Sequence, residues 1–125
     1  MNTPKNLKYT RTHEWVALDG KTARVGISDF AQNRLGKLVF VNLPAAGDAL
    51  TAGEPFCDVE SVKSVADINA PFDGTVTAVN EELPDDPGRI NDDPYGAWLI
   101  EAEMDSDLSG LMDADAYDAF CAAEE

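Results

Sequence analysis

One lysine in this chain stands where its amine could be put to chemical use. In the run Phe56-Cys57-Asp58-Val59-Glu60-Ser61-Val62-Lys63-Ser64-Val65-Ala66-Asp67-Ile68-Asn69-Ala70-Pro71, two stretches rich in β-branched and small residues flank a short polar break from Ser61 to Ser64. That pattern predicts two strands joined by a tight turn, with Lys63 near its tip. A lysine held out on a hairpin is a poor binding-site residue, because nothing surrounds it. It is a good attachment point, since acylation of its amine makes it the root of a long swinging arm. Group carriers work in this way: the attached group does the chemistry and the protein supplies position. An isolated turn lysine is ordinarily just solvated, so its neighbours decide the matter.

The remaining reactive side chains point away from catalysis. No nucleophile–base pair and no metal-ligating cluster is visible in the sequence. His13 is a lone histidine beside Trp15 on a predicted strand, where a satisfied structural role is the expectation. Asp85, Asp86, Asp92 and Asp93 lack the spacing of a calcium-binding loop and read as a solvated acidic segment. Cys57 and Cys121 are far apart and lack metal-ligand spacing, so both are expected to be reduced thiols. Cys57, on the strand before the hairpin, should behave as a small, buried apolar residue.

Composition narrows the setting. The chain has 125 residues, long enough for a proper core but short for a two-substrate enzyme with its own cofactor fold. No apolar stretch approaches the roughly 20 residues needed to span a bilayer. Met1 to Lys8 lack the apolar core of a signal peptide and the arginine-rich pattern of a transit peptide, so a cytoplasmic, bacterial setting is expected. A formal net charge of −15 argues against nucleic acid and anionic membrane as partners and favours docking on basic protein surfaces.

Local signals define the elements that must hold the hairpin. Tyr9 to Leu18 and Thr22 to Ile27 read as strands joined at Asp19-Gly20. Ser28 is placed to cap a short helix from Asp29 to Leu35, which Gly36 would stop. Leu38 to Leu43 reads as a strand ended by Pro44, and Gly47-Asp48 and Gly53-Glu54 punctuate the stretch leading to the hairpin. Thr75 to Val79 reads as a strand, Asn80 to Tyr95 as a loop, and Ala97 to Met104 as a return strand. Asp113 opens a terminal helix with Tyr117, Phe120 and Cys121 on one face.

The ordered set of motifs resembles the glycine cleavage system H protein family of lipoyl carriers. The match lies in Val59-Glu60-Ser61-Val62-Lys63, Asp67-Ile68, Ala70-Pro71 and Gly74, and in His13-Glu14-Trp15-Val16 and Val25-Gly26-Ile27-Ser28-Asp29. Ala31-Gln32, Leu35-Gly36, Val39-Phe40-Val41-Asn42-Leu43-Pro44, Val79-Asn80-Glu81, Ile90-Asn91, Asp93-Pro94-Tyr95-Gly96 and Trp98 complete it. Gly-punctuated segments on both sides of the hairpin look like the repeat of a biotinyl or lipoyl domain. Biotin carriers usually place methionine on each side of the lysine, whereas Val62 and Ser64 stand here, which points to lipoate.

The resemblance implies a mainly β fold, a flattened β-barrel or sandwich hybrid of the lipoyl/biotinyl-domain type with a short internal helix and a C-terminal helix. It implies one lipoyl-carrier domain over residues 1–125, with a core at about 7–121, and no catalysis by its own side chains. Lipoate would be an amide on Lys63, installed by a lipoate ligase or a lipoyl/octanoyl transferase that reads Glu60. Glu14 and Asp67 resemble family residues lining a cleft that receives the loaded arm. The implied partners are glycine decarboxylase (P protein), aminomethyltransferase (T protein) and dihydrolipoyl dehydrogenase (L protein). A lipoyl-relay role, supplying lipoate to other complexes, is the alternative. Cys57, Arg34 and the spacing of Gly96-Ala97-Trp98 depart from the usual family pattern, none of them within the attachment motif.

Overall fold

Alternation of inward apolar and outward polar side chains marks half-buried antiparallel strands, and it recurs along most of this chain. The computed structural model describes residues 2–108 and 110–124. In chain order the elements are β1 (Lys8–Tyr9), β2 (Glu14–Asp19), β3 (Thr22–Ile27), α1 (Asp29–Leu35), β4 (Leu38–Asn42) and β5 (Ala49–Leu50). Beyond these come β6 (Pro55–Ser61), β7 (Val65–Asn69), β8 (Gly74–Val79), α2 (Arg89–Asp92), β9 (Ile100–Met104) and α3 (Ala114–Glu124). Among the described residues the strands form a six-stranded sheet, β1-β2-β3-β9-β8-β5, and a three-stranded sheet, β4-β6-β7.

Val16, Val25, Val76 and Ile100 of the larger sheet and Val41, Val59 and Ile68 of the smaller one share one buried cluster. Burial of such side chains is worth roughly 1.5–3 kcal/mol each against exposure, enough to hold two amphipathic sheets together. Neither sheet closes on itself, so the architecture is the expected mainly β flattened sandwich. Gly26 is required where Trp15 crosses β3: a Cβ there would lie 2.6 Å from the indole ring.

Four sequence expectations change in detail. Tyr9 to Leu18 is two strands, because the chain turns at residues 10–13 and brings Tyr9 back beside Trp15. His13 therefore lies in a turn, with φ 75°, and not on a strand. The segment from Asn80 to Tyr95 contains α2, whose single turn is too short to show a helical period in sequence. Regular pairing of the return strand begins at Ile100, although the Leu99 N–H already donates to the Val25 carbonyl.

The C-terminal helix is clasped to the side of the sandwich by a chain of hydrogen bonds. Ser28 caps α1 by accepting from the Ala31 N–H, and its hydroxyl lies 2.5 Å from that of Tyr117 on α3. His13 Nδ1 is 2.7 Å from the Tyr117 hydroxyl, and His13 Nε2 is 2.7 Å from the Glu124 carboxylate, which Arg34 also approaches. Tyr117 stacks on Tyr9, with ring centroids 4.5 Å apart. The arrangement in which every group has a partner is Ser28 donating to Tyr117, Tyr117 donating to Nδ1, and Nε2–H donating to Glu124. It requires neutral imidazole. Burial lowers the His13 pKa below its usual value; Glu124 opposes this and Arg34 adds to it.

A histidine with a depressed folded-state pKa contributes stability above its unfolded pKa, and loses it as pH falls through that value towards the folded one. The His13 contribution to the unfolding free energy should therefore decline as pH falls from about 7.5 to 5.5. Asn tolerates the left-handed backbone at position 13. The wild-type minus His13→Asn difference in denaturant-unfolding free energy should shrink on acidification, and a difference that grows would contradict the neutral clasp.

Candidate functional site

The predicted hairpin is β6 and β7, and its tip is built by one hydroxyl. The Ser61 N–H donates to the Ser64 carbonyl at 2.8 Å, while Ser61 Oγ accepts from the N–H groups of Lys63 at 3.2 Å and Ser64 at 3.0 Å. Serine at a turn start commonly closes such bonds, yet in sequence Ser61 reads only as part of a polar break. The tip is also tied sideways, because the Val62 N–H donates to the Lys37 carbonyl at 3.0 Å.

That connection is itself anchored from a distance. Asn91 of α2 accepts from the Leu38 N–H and donates to the Gly36 carbonyl and the Gln32 side chain. No local signal marks Asn91 for this, since its partners lie more than fifty residues away in sequence. Gly36 ends α1 at φ 80°, and Lys63 Cε lies 3.3 Å from where a Cβ at position 36 would stand. Glycine there serves both the left-handed cap and the passage of the lysine stem. Lys63 is exposed, and no carboxylate pairs with its amine among the described residues.

The three carboxylates singled out from the sequence have different surroundings. Glu60 is half-buried on the outer face of the smaller sheet, directly between Phe40 of β4 and Val65 of β7. Asp67 is exposed on the same face, one row further from the tip, opposite Asp58. Asp58 accepts a hydrogen bond from the Asn42 side chain, which offsets the like-charge contact. Glu14 is different: it is 1% exposed.

Glu14 Oε1 accepts from the Thr10 hydroxyl at 2.7 Å and the Thr12 hydroxyl at 2.5 Å, and Oε2 accepts from the Asn69 N–H at 3.3 Å. Burial raises its pKa above the usual carboxylate range, and these hydrogen bonds oppose the rise. Asn69 lies two residues beyond Asp67 on β7. The fold thus brings Glu14 to the strand that carries Asp67, while Glu60 and Lys63 sit at its other end.

An exposed, unpaired amine on a braced tip is arranged for covalent attachment and presentation. Residues 7–124 match the family model described as Glycine cleavage H-protein.

The chain belongs to the glycine cleavage H-protein family.

It is 51% identical over 126 residues to the glycine cleavage system H protein of Acidobacterium capsulatum, covering 99% of this chain and 98% of that protein. Identity to the H protein of Mycobacterium avium is 53%, over 91% of this chain and 92% of the relative. The crystal structure of a glycine cleavage system H protein from Mycobacterium marinum superposes with a TM-score of 0.87 at 39% identity, covering 93% of this chain and 96% of that one. As an H protein, the chain is a lipoyl-bearing carrier component of glycine cleavage and not a catalyst.

Cys57 lies on the strand that leads to this site, and its environment keeps it out of the chemistry. It faces inward on β6 opposite Ile68. Burial, with Asp58 beside it, pushes its thiol pKa up to about 12, so little thiolate exists at neutral pH. The native protein should leave Cys57 unalkylated by iodoacetamide under conditions that label it fully in denaturant. Peptide mass mapping checks this, and rapid native alkylation would show the site to be open.

Proposed function

We propose that Lys63 carries lipoate as an amide and that this chain, as one carrier domain, shuttles the aminomethyl group of glycine between enzymes. The supporting observation is the exposed Lys63 amine on a tip held by Ser61 and Lys37. Glycine decarboxylase would load the carrier, aminomethyltransferase would unload it, and dihydrolipoyl dehydrogenase would restore it. A lipoate ligase or a lipoyl/octanoyl transferase would attach the arm, using Glu60 as an acidic recognition point.

The attached group supplies a disulfide that cycles through a dithiol; the chain supplies placement. Tethering makes each later encounter effectively intramolecular, with an effective concentration of roughly millimolar when the linker reaches. The protein's further task is to shield a loaded arm from water. An ammonium that leaves solvent needs a compensating carboxylate. Asp67 is exposed to meet it. Glu14 lies deeper, and its Oε2 keeps acceptor capacity beyond the single bond from Asn69.

Two experiments test this reading. Lys63→Arg should keep the fold, because an exposed turn side chain contributes little packing, and should abolish the lipoyl mass increment and the support of glycine decarboxylation. A lipoyl mass on the Lys63→Arg protein would refute the assignment. Glu14→Gln combined with Asp67→Asn should still accept lipoate at Lys63. Loaded with aminomethyl in the absence of the transferase, that variant should lose the group to water faster than wild type. Equal hydrolysis rates would remove these carboxylates from the proposal.

A further inference from the structure

The chain has two tryptophans, and both line one depression on the outer face of the six-stranded sheet. Leu7, Trp15, Ala17, Arg24, Tyr95 and Trp98 surround a volume of about 370 Å³. That lies within the roughly 300–1,000 Å³ of small-molecule sites, which are mostly apolar with a few polar groups. Lys63, Glu60, Glu14 and Asp67 do not line it.

Register builds the depression. Val16 pairs with Val25 and both point into the main core, so the next pair, Ala17 and Arg24, faces the other way. Glu101 of β9 continues that row. A side chain as small as Ala17 opposite Arg24 leaves room beside the guanidinium. Trp15 lies two residues back on the same face, buried, with Nε1 donating to the Pro94 carbonyl at 3.0 Å. The N-terminal segment forms the opposite wall: Leu7 is buried, and the Tyr9 hydroxyl donates to the Pro4 carbonyl at 2.6 Å. The walls are thus set by strands and a tied segment before any ligand arrives, which limits the ordering cost of binding.

Charge selects the ligand. Arg24 is the one charged residue lining the depression and no carboxylate lines it, although the chain carries −15. The guanidinium carbon lies 4.8 Å from the centre of the Trp98 ring, so Arg24 already holds the ring face that another cation would need. Glu101 approaches one guanidinium nitrogen at 3.6 Å, beyond hydrogen-bonding distance, and donors remain for an anion. Glu81, Glu82 and Asp85 line a separate depression that shares Trp98 and Gly96. One planar guanidinium matches one carboxylate, and the surrounding negative field disfavours a dianion. Aromatic walls favour a flat apolar body, which meets ring edges and faces.

We propose that this depression is a binding site for a small monocarboxylate with a flat apolar body, its carboxylate on Arg24 and its body against Leu7, Ala17 and Trp98. No bond is made or broken there, and the site is independent of the arm on Lys63. A ligand resting on the N-terminal segment and the sheet together binds only the folded chain, so it stabilises the fold.

Phenylacetate is the probe, with phenethylamine and phenethyl alcohol carrying the same ring on a cationic and a neutral head. Titrations of the full chain at about 0.15 M ionic strength follow tryptophan fluorescence and the two indole N–H signals in a proton–nitrogen correlation spectrum. Phenylacetate should saturate with a Kd of about 1 mM or below, moving both indole signals, and phenethylamine should bind about tenfold more weakly or worse. Arg24→Gln should weaken phenylacetate by about tenfold and remove its advantage over the alcohol. Glu101→Gln, which releases the guanidinium, should strengthen it by about twofold to fivefold. Ala17→Leu should fill the depression and abolish the response, with circular dichroism verifying the fold of each variant.

A phenylacetate titration that shows no saturation at about ten times that Kd overturns the site. Equal affinity for phenylacetate and phenethylamine also overturns it, by removing Arg24 from recognition. An unchanged titration of folded Ala17→Leu places the binding elsewhere and has the same effect. If Ala17→Leu does not fold, the opposite shifts expected of Arg24→Gln and Glu101→Gln decide.

Discussion

A carboxylate that crosses from one sheet to the free edge of the other sets the geometry on which the rest of this structure depends. Glu14 begins β2 in the six-stranded sheet, yet its Oε2 accepts from a backbone N–H at the end of β7 in the three-stranded sheet. A buried carboxylate is costly unless its oxygens are matched by donors. Here the donors come from Thr10 and Thr12 as well as Asn69, so the chain must turn at residues 10–13 to deliver two hydroxyls. That turn places His13 against α3, and the C-terminal helix is clasped as a result. One buried acid thereby orders the sheet junction, the N-terminal turn and the packing of the last helix.

At the opposite end of β7 the same economy operates through neutral groups. Ser61 closes the tip, Lys37 braces it from the side, and Asn91 fixes the connection that contains Lys37. Each bond contributes only about 1 kcal/mol, but together they join the hairpin to α1, β4 and α2. The hairpin is not an isolated pair of strands, which would be marginal in water. It is a projecting corner of the sandwich.

The parts of this fold governed by neighbouring residues were legible in the sequence. The hairpin around Lys63, the Ser28 cap, the Gly36 stop and the helical face of Tyr117 and Cys121 each depend on residues a few positions apart, and each is present. The misread segments answer to distant partners. Thr10 and Thr12 look like strand residues until the buried Glu14 claims their hydroxyls. Asn91 sits in an apparent loop because its three bonds reach back to α1 and β4. Strand register, which the sequence alone does not display, turns Phe40 and Val65 outward while Val41 and Val59 stay inside.

Gly36 and the bond from Val62 to Lys37 have a consequence for motion. Because the backbone at the tip is held on two sides, it contributes little to any swing; the freely rotating bonds begin at the Lys63 side chain. The Lys63 stem passes close over Gly36, so that flank is screened from the arm proposed for Lys63. A tether fixed at its root and screened on one flank explores a smaller volume than a tether on a loose loop. Its orientational entropy is already reduced before any enzyme arrives, and less remains to be lost on capture. The rigid corner thus acts on association kinetics as well as on structure.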